Sequence, residues 1–315
     1  MKKESSFSRY IRKIAIMGLV ATLFISCKDD EVVAPRTITD IVLENNDFTI
    51  LRAAVQHAGL ADALKAGTLT VFAPNDAAFN EAGFADASAI TALPSATVSA
   101  ILQYHVLGTA VLSTEIATAA NQAVPTLGNK PAYITKNTAG VSVNGATVVA
   151  ADILADNGVI HVIDNVLLPP GQTLLEVAQG NPDFSFLVAA AVRASQANPI
   201  VLAALTSDAS AYTVFAPTNA AFIAAGFPTT ASLSAANPTV LANILLYHVV
   251  PGRVFSTNLT TGNVTTAATG TVRVTVGNSV TVTGKGNGTN ASKVISANIH
   301  ATNGVIHVID RVLLP

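Results

Sequence analysis

The chain has 315 residues, half of them hydrophobic, which is enough to fill two ordinary cores. Only 11% are charged, the formal net charge is −2, and no basic cluster stands outside the N-terminal segment, so the electrostatic footprint of a nucleic-acid binder is excluded. Cys27 is the single cysteine, which rules out an intramolecular disulfide and deprives a zinc-thiolate cluster of ligands.

Residues 1–26 have the pattern of a signal peptide. Lys2, Lys3, Arg9, Arg12 and Lys13 form a basic region, and Ile14 to Ile25 follow as an apolar run. As a helix that run would span about 18 Å, short of the roughly 30 Å hydrocarbon core, so a secretion signal fits better than a membrane span. Ser26-Cys27 resembles a bacterial lipobox, although Phe24 and Ile25 stand where leucine and a smaller residue are more usual. That resemblance implies a lipidated Cys27, an anchor and linker over residues 27–36, and an outer-membrane lipoprotein held stably by its acyl chains. Lys28-Asp-Asp-Glu31 resembles an acidic signal for display on the cell surface. If it is only a solvated linker, the protein faces the periplasm.

A first unit covers residues 37–170. Ile38, Ile41, Val42, then Phe48, Leu51, Val55, Leu60 and Leu64 recur at helical spacing, interrupted at Asn45-Asn46-Asp47. Asp47 is expected to cap the second helix and Gly59 to end it. Thr68 to Pro74 reads as a strand stopped by proline, followed by a helix that turns Phe79 to the core. Pro94 to Val106 puts Val98, Ile101, Leu102 and His105 on one helical face. Val141 to Val149 reads as a hairpin about Asn144-Gly145. Asn157 to Pro169 is a turn and a buried strand, its Asn-Gly opening suited to positive φ.

A second unit, residues 171–315, repeats this order at a period near 143 residues, which is domain scale rather than a stacked repeat. Pro169-Pro170-Gly171 is too short for a free linker, so the units should touch. Extra residues fall near Val201 to Ala211 and within Gly284 to Asn290, the latter read as a flexible loop without a phosphate-loop ending. Asn237-Pro238 caps the helix leading to Tyr247-His248. Val272, Val274 and Val276, then Val280 and Val282, alternate about Gly277-Asn278 as a hairpin. Asn303 to Pro315 matches Asn157 to Pro169 at twelve of thirteen positions. Helices first and strands afterwards make each unit α+β. Residues 37–170 carry 4 basic and 11 acidic side chains (−7), and residues 171–315 carry 6 and 4 (+2). This asymmetry predicts attraction between units, within a chain or head to tail between molecules.

Thr-Val-Phe-Ala-Pro at 70–74 and 213–217, the Tyr-His pairs, and the two Asn-Gly-Val-Ile-His runs occur in one order in both units. Together they resemble the fasciclin-like domain family across Thr37 to Pro315. The resemblance implies an α+β fold of two tandem fasciclin-like domains, each a β-wedge or small sandwich with a helical cap. It implies a non-enzymatic module for cell-surface adhesion or interaction, with a cell-surface or matrix protein or a glycan as partner. In integrin-binding members an Asp-Ile pair before the Asn-Gly turn and a Tyr-His pair are implicated. Here these are Asp152, Ile153, Tyr104 and His105, with Tyr247 and His248 in the second unit, where Asn298 replaces the aspartate. A glycan-capturing accessory of nutrient uptake and a structural envelope protein are the alternatives.

No cofactor or metal is expected. His105, His248, His161 and His307 recur by repeat at a helix end and in mid-strand, where hydrogen-bonded structural histidines fit better than ligands. Gly140-Val-Ser-Val-Asn144 lacks the last glycine of a nucleophile elbow and lies in a hairpin. Asp164 and Asp310 could cap a turn as easily as act as acids, and no carboxylate pair recurs at acid/base spacing. Four Asn-x-Ser/Thr sequons begin at Asn258, Asn263, Asn287 and Asn290, as a Thr/Asn-rich surface would produce.

Overall fold

The computed structural model describes residues 36–315; the expected signal peptide, Cys27 and Lys28 to Glu31 lie outside the described residues. Helix α1 (Ile38–Glu44) begins with a capping box, in which Thr37 accepts from the Asp40 N–H while the Asp40 carboxylate accepts from the Thr37 N–H. Helix α2 (Thr49–His57) is not capped by Asp47, contrary to expectation. Asp47 lies in a 3-10 turn over Asn46–Phe48, its N–H donating to the Asn45 side chain. The cap comes from Asp76, 26 residues downstream of Ile50, whose carboxylate accepts from the N–H groups of Thr49 (3.2 Å) and Ile50 (2.9 Å). Gly59, at φ +67°, follows the helix in the left-handed conformation that ends it.

The first domain continues through β1 (Leu69–Pro74), α3 (Asp76–Glu81), α4 (Ala87–Thr91), α5 (Ser95–Tyr104), β2 (Val106–Leu107), β3 (Gln122–Pro125), β4 (Pro131–Asn137), β5 (Gly140–Val143), β6 (Ala146–Ala155) and β7 (Gly158–Ile163). The seven strands hydrogen-bond in the order β2-β1-β7-β6-β5-β4-β3, antiparallel except for the parallel pair β1 and β7. Register shifts after Val148 and Ala150 bend the long β6, so the sheet folds into a wedge. Helices cover one face of β1 and β7 around Phe48, Phe79, Val98 and Ile160. Phe72, Tyr104, Ile134 and Ile163 fill the wedge itself. Strand β7 is buried on both sides, which is why its sequence is a continuous apolar run rather than an alternation.

The Asn-Gly opening of β7 does more than turn. Gly158 has φ +149°, but space is the tighter constraint: a Cβ there would lie 1.9 Å from the Leu69 carbonyl oxygen across the parallel pair. Asn157 is a tether, its Oδ1 accepting from the Ile38 N–H (2.8 Å) and its Nδ2 donating to the Leu64 carbonyl (2.7 Å). Asn303 does the same for Leu174 and Ser207.

The second domain repeats the wedge with α6 (Leu174–Gly180), α7 (Ser185–Ser195), α8 (Ile200–Thr206), β8 (Tyr212–Pro217), α9 (Asn219–Ala224), α10 (Thr230–Ala235), α11 (Pro238–Tyr247), β9 (Val249–Pro251), β10 (Gly262–Thr265), β11 (Thr271–Val276), β12 (Val280–Thr283), β13 (Ser292–Ala301) and β14 (Gly304–Ile309). Its order is β10-β11-β12-β13-β14-β8-β9, with β8 and β14 parallel. The extra residues near Val201 form α8, which sends Val201 and Leu205 into the core. The first domain keeps an apolar pocket of about 230 Å³ among Ile38, Leu51, Val55 and Leu64, whereas the matching void in the second is about 20 Å³. The loop Gly284 to Asn290 is pinned rather than free, because the buried Asn287 donates to the Val312 carbonyl (2.9 Å) and accepts from the Leu314 N–H (2.8 Å).

Candidate functional site

Asp152 lies at the bend of β6 with φ +60°, a conformation that aspartate and asparagine tolerate better than most residues. Its carboxylate accepts from the Ser113 N–H (2.7 Å) and the Ser113 hydroxyl, and its own N–H donates to His161 Nδ1 (3.2 Å). Burial alone would raise its pKa, but the two Ser113 bonds, aided by His161 and Lys136, hold it below the ordinary carboxylate value. Asn298 takes the same pose at φ +63°: Oδ1 accepts from the Ser256 N–H (2.7 Å), Nδ2 donates to the Ser256 hydroxyl (2.8 Å), and its N–H faces His307 Nδ1. Both residues cap the segment after the second strand of their domain. Ile153 next to Asp152 is half-buried against the helical core, while Leu154 is 69% exposed.

The Tyr-His pairs are interior. Tyr104 is fully buried, its hydroxyl donating to the Pro131 carbonyl (3.0 Å) and accepting from Asn144 Nδ2 (2.9 Å), and burial pushes its phenol above the ordinary range. Tyr247 donates to the Thr271 carbonyl and accepts from the Lys285 N–H. His105 Nε2 accepts from the Leu167 N–H (2.9 Å), so Nδ1 carries the proton and donates to the Ile101 carbonyl (2.8 Å). His248 repeats this with Leu313 and Ile244. Burial lowers both imidazoles to about 4, which keeps them neutral. Each histidine therefore holds its helix end to the irregular segment that follows β7 or β14, and both pairs are buried. Among the described residues no three of His, Cys, Asp and Glu come together as metal ligands.

Of these residues Tyr104 and Asn298 touch the other domain, through His300 Nδ1 (3.4 Å) and the Gly145 carbonyl (3.4 Å), but most of the contact between the domains is made by others. Tyr133 packs on Phe255 (6.3 Å between ring centres) and edge-on against His300 (5.7 Å), and the Arg253 guanidinium stands 4.5 Å over the Tyr133 ring. That guanidinium also donates to the carbonyls of Ala301, Thr302 and Gly304, so its charge is solvated by backbone. Around the rings lie neutral hydrogen bonds: Asn258 Nδ2 to Thr135 Oγ1 (2.8 Å), Ser142 Oγ with Thr257 Oγ1 (3.0 Å), and Asn121 Nδ2 to the Arg253 carbonyl. Burial, and then the neighbouring Arg253, lower His300 to about 3. Among the described residues no ion pair crosses between the domains. The expected attraction of −7 for +2 is thus not expressed as a contact ion pair among the described residues. The signal for this contact was present as mismatch between the repeats, since Tyr133 corresponds to Arg273, Arg253 to Ala110 and His300 to Leu154.

Two bent seven-stranded sheets, each capped by helices and joined face to face, define a tandem β-wedge protein whose recurrent polar residues hold the framework. The chain belongs to the fasciclin domain family, whose model matches residues 46–169 and 182–315. Protein sll1483 of Synechocystis is 40% identical over 157 residues, taking in 49% of this chain and 79% of that one. Immunogenic protein MPB70 of Mycobacterium bovis is 37% identical over 140 residues, 44% of this chain and 66% of that one. The FAS1 domain pair of the insect cell adhesion molecule Fasciclin I aligns over 88% of this chain and 96% of its own, at 20% identity and a TM-score of 0.41.

Proposed function

We propose that the protein is a non-enzymatic adhesion or interaction module of the cell surface, anchored in the outer membrane through a lipid on Cys27 and displayed outward by Lys28 to Glu31. Fasciclin domains are known mainly as adhesion and matrix-interaction modules. The observation that carries the reading for this chain is the outer stretch of β6, where Val149 (55% exposed) and Leu154 (69%) present apolar surface on either side of Asp152 and Ile153. A partner protein or glycan would meet Leu154 and the free edge of the Asp152 carboxylate. The buried Tyr104-His105 and Tyr247-His248 pairs would serve by holding this surface in shape.

Attachment of a deletion strain to protein-coated and glycan-coated surfaces, against the same strain carrying the gene, tests the reading. Loss and recovery of attachment support it. Unchanged attachment with loss of glycan uptake would replace it by glycan capture, and unchanged attachment with an altered envelope by a structural role. The anchor is tested separately by Cys27→Ala, which should release the protein from the membrane fraction, and the display signal by Asp29, Asp30 and Glu31 to alanine, which should remove protease accessibility on intact cells.

A further inference from the structure

The contact between the domains is heterologous, because each domain contributes a different face. The first gives the outer side of β4 and β5, with Tyr133, Thr135 and Ser142. The second gives the segment Arg253 to Asn258 together with Asn298 and His300 on β13. Each domain possesses both kinds of face, so the pairing leaves one of each unused: the β11–β12 face of the second domain, and in the first domain the face beside the bend of β6.

Shared hydrogen bonds fix which residues correspond. Glu115 accepts from the Leu112 N–H as Asn258 accepts from the Phe255 N–H, and Leu154 pairs with Val159 as His300 pairs with Val305. Ile134 pairs with Val143 as Val274 pairs with Val282, which sets Arg273 in the place of Tyr133 and Thr275 in that of Thr135. Burial follows use: Thr135 is 3% exposed in the contact, whereas Thr275 and Arg273 lie in the open. His300 is half-buried, whereas Leu154 is exposed.

The two unused faces are complementary. That of the second domain is a broad depression of about 710 Å³ bearing Arg273 and Lys285, neither in an ion pair among the described residues. That of the first domain bears Glu115 and Asp152 beside the exposed Leu154, with one cation, Lys136, whose ammonium is held by the Ser113 and Ile116 carbonyls. In the contact within the chain, Asn258 reaches Thr135 and Asn298 approaches the Gly145 carbonyl. At the corresponding place Glu115 would face Thr275 beside Arg273, with the exposed Lys285 lining the same depression.

We propose that the β11–β12 face of one molecule docks on the Leu154 face of a second copy, repeating between molecules the contact made within each and generating head-to-tail chains. Within a molecule the joint is aromatic, with one cation, Arg253, solvated by backbone and no ion pair among the described residues; between molecules it brings opposite charges together. Self-pairing does not rest on the adhesion reading, since a monomeric protein could adhere and a self-pairing one need not.

Sedimentation velocity of the purified full chain tests it. Wild type should form concentration-dependent oligomers in 0.1 M salt that dissociate in 1 M, as the Debye length falls from about 10 to about 3 Å. Arg273→Glu and Leu154→Arg, both at exposed positions, should each weaken association by about tenfold or more while circular dichroism is unchanged. Mixing the two variants should restore dimers and nothing larger, because one molecule supplies an intact β11–β12 face and the other an intact Leu154 face. A wild type that stays monomeric at low salt, oligomers equally strong in both variants, or a mixture that remains monomeric would each overturn the proposal.

Discussion

Tyr133→Ala removes the ring on which the joint between the domains is built. The ring carries a partly desolvated cation–π contact with Arg253, worth about 2 kcal/mol, and aromatic contacts with Phe255 and His300, worth about 1 kcal/mol each. About 4 kcal/mol is an upper bound for these three contacts, since they share one side chain and are not additive, and the ring's lost buried area adds to it. Arg253 adds no bare-charge penalty, because it keeps three backbone carbonyls. In urea unfolding followed by calorimetry and fluorescence, the coupled transition of the wild type should split into two, one per domain. Tyr133→Phe keeps the ring and should stay within about 1 kcal/mol of wild type. The coupling should also be the same in 0.1 and 1 M salt, since among the described residues no ion pair crosses the joint. A single transition with an unmoved midpoint in Tyr133→Ala would refute the aromatic joint, and uncoupling by salt alone would restore charge attraction as its cause.

Stability should fall with acid ahead of carboxylate titration. His105 and His248 are held near 4 in the fold against about 6.5 unfolded, so their stabilising neutrality is complete above 6.5 and is lost as pH falls toward 4; each should cost about 2 kcal/mol by pH 5, and equal denaturant midpoints at pH 7 and 5 would refute it. Asp152→Asn should shift the melting temperature little, because Asn298 makes the same bonds to Ser256, whereas Asp152→Ala should cost about 1–3 kcal/mol by unbonding Ser113 and placing alanine at positive φ; equal melting of the two variants would contradict this. Gly304→Ala should destabilise the second domain by more than about 3 kcal/mol in calorimetry, since its Cβ would stand 2.1 Å from the Tyr212 carbonyl oxygen within the parallel pair; a wild-type melt would show that β8 and β14 can separate at no cost.

Short-range features were legible in the residues alone. The strands Leu69–Pro74 and Gly158–Ile163, the Asn144-Gly145 hairpin, the Asn237-Pro238 cap and the glycine stop at Gly59 each depend on neighbours a few positions away. So did the α+β class and the tandem organisation, because a repeated pattern of twelve identical residues in thirteen declares a shared core. The cap on α2 escaped because Asp76 reaches it from another helix. The residues Asp152, Tyr104 and His105 were found, and His105 was legible as a hydrogen-bonded structural histidine, but the partners of these bonds were not, since they are properties of the assembled wedge. The joint between the domains was least visible. Identity between the halves is what a common fold requires, whereas a heterologous contact requires the halves to differ, and among the many differing positions only the tertiary structure brings Tyr133, Arg253 and His300 to one place.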